Sequence, residues 1–159
     1  MDRLLPLAKQ VGQALIARGE NLAISESSSG GLISAALLAV PGASTFYRGA
    51  GIIYTPQAFR GLMGLTQEDI EGMRSATEPY ARFMAGKIRD KLRASWGLCE
   101  TGASGPTGNG YGDAAGHVCV AVVGSTDTSR TLETGLSDRR ENMYLFAEAA
   151  LTLLQEQLC

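Results

Sequence analysis

The chain has 159 residues, 45% of them hydrophobic and 19% charged, with a formal net charge of −2 at pH 7. That length suits one domain, able to bury about 70% of its unfolded surface. The near-neutral balance gives no electrostatic basis for binding nucleic acid or an anionic membrane, and no run approaches the roughly 20 apolar residues of a membrane span.

Three cysteines, Cys99, Cys119 and Cys159, form an odd set without paired spacing. This argues against a disulfide framework and suits a reducing cytosol. The opening MDRLLPLAKQ lacks a long apolar stretch followed by a cleavage site, so a cytoplasmic protein is expected.

Leu4, Leu7, Ala8, Val11, Ala14 and Leu15 recur at helical spacing and predict an amphipathic helix over residues 3–18, stopped near Gly19. Asn21–Glu26 reads as a short strand. Leu32–Val40 reads as a mostly apolar helix ended by Pro41-Gly42, and Gly49–Tyr54 as a buried strand. A helical piece follows at 56–63, and another begins at Thr66, whose spacing to Asp69 is that of a capping box. Thr77 is placed to cap the next helix with Pro79 in its first turn, and Tyr80, Phe83, Met84, Ile88 and Leu92 make its apolar stripe. Strands are predicted at Leu98–Thr101, His117–Gly124 and Arg130–Leu136. Asp138 and Glu141 then open a final helix that turns Met143, Phe146, Ala150, Leu153 and Leu154 inward.

The order α-β-α-β-α-α-β-β-β-α predicts parallel pairing where helices separate strands and an antiparallel hairpin near the end. The expected fold class is α/β: one three-layer α/β/α domain over residues 1–159, with a mixed sheet.

Three segments could carry chemistry. SESSSGG, Ser25–Gly31, lies between a strand and a helix. Ser28 or Ser29 could simply cap that helix, worth about 1 kcal/mol. The alternative is a nucleophile on a strand-to-helix turn, where unpaired N–H groups favour a developing oxyanion. The second segment, GASGPTGNGYGDAAG, Gly102–Gly116, holds six glycines and matches neither phosphate-binding glycine motif. Next to Thr101 and containing Ser104, it reads equally as a ligand loop or a plain connection. Third, Tyr54-Thr55 ends a strand expected beside the first, where ligands collect in open α/β sheets, unless the tyrosine only closes the core. His117 and Cys119 are too few for a zinc site, and neither metal nor cofactor is expected.

Taken together these pieces resemble the CinA C-terminal domain family, whose enzymatic members are nicotinamide-nucleotide amidohydrolases of the PncC type. The family's A-E-S-C-T-G-G resembles Ser25-Glu26-Ser27-Ser28-Ser29-Gly30-Gly31, and its P/A-G-[AS]-S turn resembles Pro41-Gly42-Ala43-Ser44, followed by Phe46, Arg48 and Gly49. Its Y-[ST]-N-E-A-K-x-x-L-L-G-V is similar to the run Tyr54–Leu65, its [ST]-G-I-A-G-P to Thr101–Pro106, and its G-D-R to Ser137-Asp138-Arg139. The likeness spans essentially the whole chain, motif by motif in order. It implies metal-free deamidation of nicotinamide mononucleotide to nicotinic acid mononucleotide and ammonia, with Ser27 as nucleophile and Tyr54 acting with it. It also implies a substrate cradle of Ser28, Ser29, Gly30, Gly31, Thr101, Gly102, Ser104 and Gly105, with Arg48, Arg60 and Arg139 available to a phosphate. Self-association into a homo-oligomer is implied as well; the partner expected is a small-molecule substrate, not nucleic acid or membrane.

Two departures matter. The family lysine falls at Phe59, and Arg60 beside it stays protonated and cannot accept the serine proton. The family's K-P-V-G-T-V after the glycine loop is replaced by Asp113–Val118, a carboxylate where a cation is expected. The sequence therefore leaves three readings open: a slow or re-targeted amidohydrolase, an inactive ligand-binding protein that keeps the pocket, and a surface that works mainly through protein partners.

Overall fold

The computed structural model describes residues 1–159. In chain order it forms α1 (Leu5–Arg18), β1 (Leu22–Glu26), α2 (Leu32–Leu38), α3 (Ala43–Phe46), β2 (Tyr47–Ile52) and α4 (Pro56–Met63). After a 3-10 turn at Gln67–Ile70 come α5 (Glu78–Leu92), β3 (Trp96–Ala103), β4 (His117–Val123), β5 (Asp127–Glu133) and α6 (Arg139–Leu158).

The five strands lie in the order β2-β1-β3-β4-β5. β1 pairs in parallel with β2 and β3, whereas β4 runs antiparallel to both β3 and β5. The mixed sheet and its helical layers are thus as the element order predicts. Because side chains alternate across a strand, Leu22, Ile24, Leu98, Val118, Val120 and Val122 face one layer, where α1, α2 and α6 complete the larger core. Ala23, Cys99, Cys119, Ala121 and Val123 face the other, with Phe59 and Met63 of α4 and Tyr80, Met84 and Ile88 of α5. At Gly97 a Cβ would stand 1.9 Å from the Ala85 carbonyl oxygen, so only glycine lets α5 lie this close to the sheet.

Several boundaries differ from the sequence expectation. β2 stops at Ile52, paired with Glu26 at the end of β1. The chain then turns away, and the Thr55 hydroxyl accepts the Ala58 N–H at 3.2 Å to start α4. β5 covers 127–133 rather than 130–136, because its register to β4 is set by a tight turn in which Gly124 N–H donates to Thr126 O. The alternation read at 130–136 belongs to an exposed edge strand, where hydropathy carries little register information. The piece after Thr66 is only a 3-10 turn, although the Thr66 N–H does donate to Asp69 at 2.7 Å.

β1 connects to β2 through α2 and α3, and β2 to β3 through α4 and α5, so the chain leaves β1 toward one neighbour and returns on its other side. The switch in strand order therefore falls between β1 and β3, at their carboxyl ends. Ligands gather at such a point in open α/β sheets.

Candidate functional site

Two loops leave those strand ends: Ser27–Gly31 after β1 and the glycine-rich loop after β3. Ser27 and Gly102 line the same cavity, of about 510 Å³, within the usual range for small-molecule sites. The rest of its wall comes from Ile53–Pro56, Phe59 and Arg60, from Gln67, Ile70 and Met73–Ala76, from Tyr80, and from Asn109 and Tyr111. Thr101 also faces it and accepts the Ala76 N–H on its hydroxyl at 3.1 Å. No aspartate or glutamate lines the cavity, while Arg60 and Arg74 do. Arg74 is engaged: its guanidinium grips Asp113 through two nitrogens at 2.7 and 3.1 Å and lies over the Tyr111 ring at 4.9 Å. The Arg74 pair, seconded by Asn109, holds the Asp113 carboxyl down at about 2. Arg60 forms no ion pair.

The serine loop is arranged around two carboxyl groups on the side of the sheet opposite the cavity. Glu26 follows Leu22 and Ile24 on their face of β1, and Glu100 follows Leu98 on β3. Both are buried, at 0% and 1% exposure. Glu26 accepts the N–H groups of Gly31, Ile33 and Ser34 at 2.9, 3.2 and 2.7 Å, together with the Ser34 hydroxyl. Glu100 accepts the N–H groups of Ser27 and Ser29, both at 2.9 Å, and the Ser28 hydroxyl at 2.5 Å. Ser29 Oγ stands within bonding distance of both acids.

These bonds revise two expectations. Neither Ser28 nor Ser29 caps α2: Gly31 is the residue before its first turn, at φ 95°, and the Glu26 carboxyl satisfies the free N–H groups. Nor do the N–H groups of the turn point outward as an oxyanion hole, since those of Ser27, Ser29, Gly31, Ile33 and Ser34 are taken by the two acids. The protein's own carboxyl groups occupy the anion-binding turn that the sequence advertised.

Of the residues proposed from sequence, the structure brings Ser27, Tyr54, Arg60, Thr101 and Gly102 to the cavity. Ser28 and Ser29 are buried and turned to the carboxyl groups, and Gly30 and Gly31 supply the left-handed turn, at φ 66° and 95°. Arg139 lies outside the wall but ties it together, donating to Gly105 O at 2.6 Å and to the Tyr54 hydroxyl at 3.0 Å. With its oxygen accepting from that guanidinium, the Tyr54 hydroxyl is oriented by Arg139 and has its own O–H left to donate. Ser104 is buried with its hydroxyl unpartnered, and Arg48 is exposed on the edge strand away from the cavity.

Phe59 occupies the lysine position as a core residue, 8% exposed, stacked on Tyr80 with centroids 6.5 Å apart and one edge on the cavity. No lysine takes its place: Lys87 sits over Phe83, and Lys91 donates to Met63 O. His117 does not face Ser27 either. Its Nδ1 meets the Glu133 carboxylate and its Nε2 the Ala76 carbonyl at 2.8 Å, pinning the cavity wall from behind. No cluster of histidine, cysteine and acidic side chains has the makings of a metal site.

Sequence reasoning missed Glu100. Its signal was available, since a carboxylate inside the apolar strand Trp96–Ala103 must find partners when buried.

Comparison with known proteins places this arrangement. The CinA C-terminal domain family matches residues 4–158. CinA-like proteins of Gloeobacter violaceus and Desulfosudis oleivorans are 34% and 33% identical over 96% and 99% of this chain. The chain spans only 36% and 38% of the length of those relatives. Among solved structures, a competence-damaged protein (CinA) superfamily protein from Enterobacter cloacae superposes with a TM-score of 0.89 at 27% identity, covering 98% of this chain and 92% of its own. The competence/damage inducible protein CihA from Agrobacterium tumefaciens gives 0.88 at 25% identity, with 98% and 95% coverage. With nearly every residue matched and the fold shared throughout, this chain belongs to the CinA C-terminal domain family.

Proposed function

We propose that this protein is an amidohydrolase of low turnover acting on a pyridine mononucleotide, in the manner of nicotinamide mononucleotide deamidation. The observation that carries the reading is the cavity at the strand switch point, with Ser27 on its wall, two arginines and no carboxylate. A phosphate suits the unpaired Arg60, and a planar ring suits Phe59, Tyr80 and Met73. In the reaction, Ser27 Oγ bonds to the amide carbon, the carbon–nitrogen bond breaks, and the nitrogen leaves as ammonia with the serine proton. Water then releases the acid from the serine ester. Without a base at position 59 the first step lacks the 10²–10⁴-fold assistance typical, to order of magnitude, of general-base catalysis, so turnover is expected well below the enzyme median of about 10 s⁻¹.

The alternative, a ligand-binding protein without turnover, draws on two specific features: the Phe59 ring packed where an amine is wanted, and the loop N–H groups consumed by Glu26 and Glu100. One experiment separates them. The purified protein and Ser27→Ala are incubated with nicotinamide mononucleotide, and ammonia release is measured beside calorimetric binding. Slow release that disappears in Ser27→Ala supports the amidohydrolase, whereas binding with equal background release in both establishes the alternative.

A further inference from the structure

Ser29 Oγ lies 2.9 Å from Glu26 Oε2 and 2.7 Å from Glu100 Oε2. A serine hydroxyl has one proton to give and two lone pairs with which to accept. It satisfies only one of two ionised carboxylates; against the other, two oxygen lone pairs would face each other at hydrogen-bond distance. The contact becomes favourable when the second carboxyl is itself protonated and donates to Ser29. Neither acid takes part in any ion pair of the protein, so no cation offsets a double charge. Both are buried, and the groups around Glu100 are the serine loop's own N–H and O–H donors.

We propose that Glu26 and Glu100 share a single proton through the Ser29 hydroxyl, carried on Glu100, and that Glu100 is thereby the positioning residue that fixes the Ser27 backbone at the edge of the cavity. Glu100 Oε2 accepts the Ser27 N–H at 2.9 Å, the last bond before the serine side chain enters the cavity wall. Burial raises the Glu100 carboxyl above its ordinary range, against the pull of the Ser27, Ser28 and Ser29 donors. The titratable group facing it is Glu26 on β1; the Cys99 thiol lies close by on the opposite face of β3, and Tyr47 at the start of β2 approaches Glu26 beside Ser34. All are acids, so none encourages Glu100 to ionise. Glu26 instead accepts three backbone N–H groups and the Ser34 hydroxyl, which leaves Ser29 as its only remaining donor.

The role of Ser27 rests on the proposed function, but the shared proton does not, and the test keeps them apart. Protein labelled with ¹³C at the glutamate carboxyl is examined by infrared spectroscopy at neutral pH. A protonated buried carboxyl band is expected in the wild type and is expected to vanish in Glu100→Gln, whose amide oxygen can still accept the Ser27 and Ser29 N–H groups while its NH2 donates to Ser28 Oγ. Absence of the band, or its survival in folded Glu100→Gln, overturns the proposal. Should Glu100→Gln not fold, Glu26→Gln gives the second reading: with one carboxyl left in the pair, Ser29 is free to donate to Glu100, Glu100 ionises, and persistence of the band refutes the sharing. Thermal melts add a check, because a carboxyl titrating above its unfolded value of about 4.3 loses stability as pH rises toward its folded value. The wild type should show that component and Glu100→Gln should lack it. If ammonia release is measurable, Glu100→Gln should retain it within about two-fold at pH 7 while Glu100→Leu loses ten-fold or more, with a shifted pH profile. If no ammonia is released by any variant, the amidohydrolase reading fails and the infrared band still decides the proton.

Discussion

Phe59→Lys restores an amine at the position from which the serine proton would be taken, and its two consequences oppose each other. Phe59 is 8% exposed and stacks on Tyr80, so its removal disturbs the smaller of the two cores. A buried Phe→Ala change costs about 3–5 kcal/mol, and a lysine stem recovers part of that contact by lying along the same apolar wall. A net loss of about 2–3 kcal/mol corresponds to a melting temperature lowered by roughly 5–10 °C for a domain of this size. Typical stabilities of about 5–15 kcal/mol leave such a variant folded. Because Phe59 also borders the cavity, the ammonium is expected to reach it, where burial and the two arginines lower its pKa below the ordinary value of about 10.4. A neutral amine beside Ser27 is a competent base, so ammonia release from nicotinamide mononucleotide should rise by about 10²–10⁴-fold. The rate should climb with pH through the lowered lysine value and disappear in the Phe59→Lys, Ser27→Ala double variant. The assay is enzyme-coupled ammonia detection over about pH 6–9, beside circular-dichroism melts. A folded Phe59→Lys protein whose rate stays within about two-fold of the wild type would refute the assignment of position 59.

The wall behind the cavity gives two further expectations. Burial pushes the His117 imidazole down, but its bonds to Glu133 and the Ala76 carbonyl and the nearby Asp113 outweigh this and raise it. Its stabilisation is therefore complete below about 6.5 and is lost as pH rises through the folded value. The melting-temperature gap between wild type and His117→Gln should be widest near about pH 5 and narrow toward about pH 9; a gap independent of pH would contradict the charged latch. Thr101→Val leaves the Ala76 N–H without its acceptor in a buried setting, a loss of about 1–3 kcal/mol, read as a melting temperature lower by roughly 2–10 °C. The same variant should bind nicotinamide mononucleotide more weakly in calorimetry, and unchanged stability would show that water replaces the hydroxyl.

Local chemistry was enough to read much of this protein from sequence. Apolar residues at helical spacing marked α1, α5 and α6, and Thr77 and Asp138 accept the N–H groups of Tyr80 and Glu141 as their spacing predicts. Helices between the early strands, with close spacing of the last two, indicated a mixed sheet, because a parallel connection needs a long crossover and a hairpin does not. The placement of Ser27 and Thr101 near one site was implied by the family resemblance, and the strand order of the folded sheet accounts for it. What the tertiary structure decided depends on pairings distant in sequence. The register that sets Ser25 beside Cys99 carries Glu100 under a serine loop 73 residues earlier, where it takes the N–H groups that looked free for an oxyanion. Likewise, nothing local shows whether Phe59 fills the lysine's place or merely stands there; only its packing on Tyr80 does. Helix periodicity and caps are written within a few residues of themselves, whereas the partners of a buried carboxyl are chosen by the sheet that assembles around it.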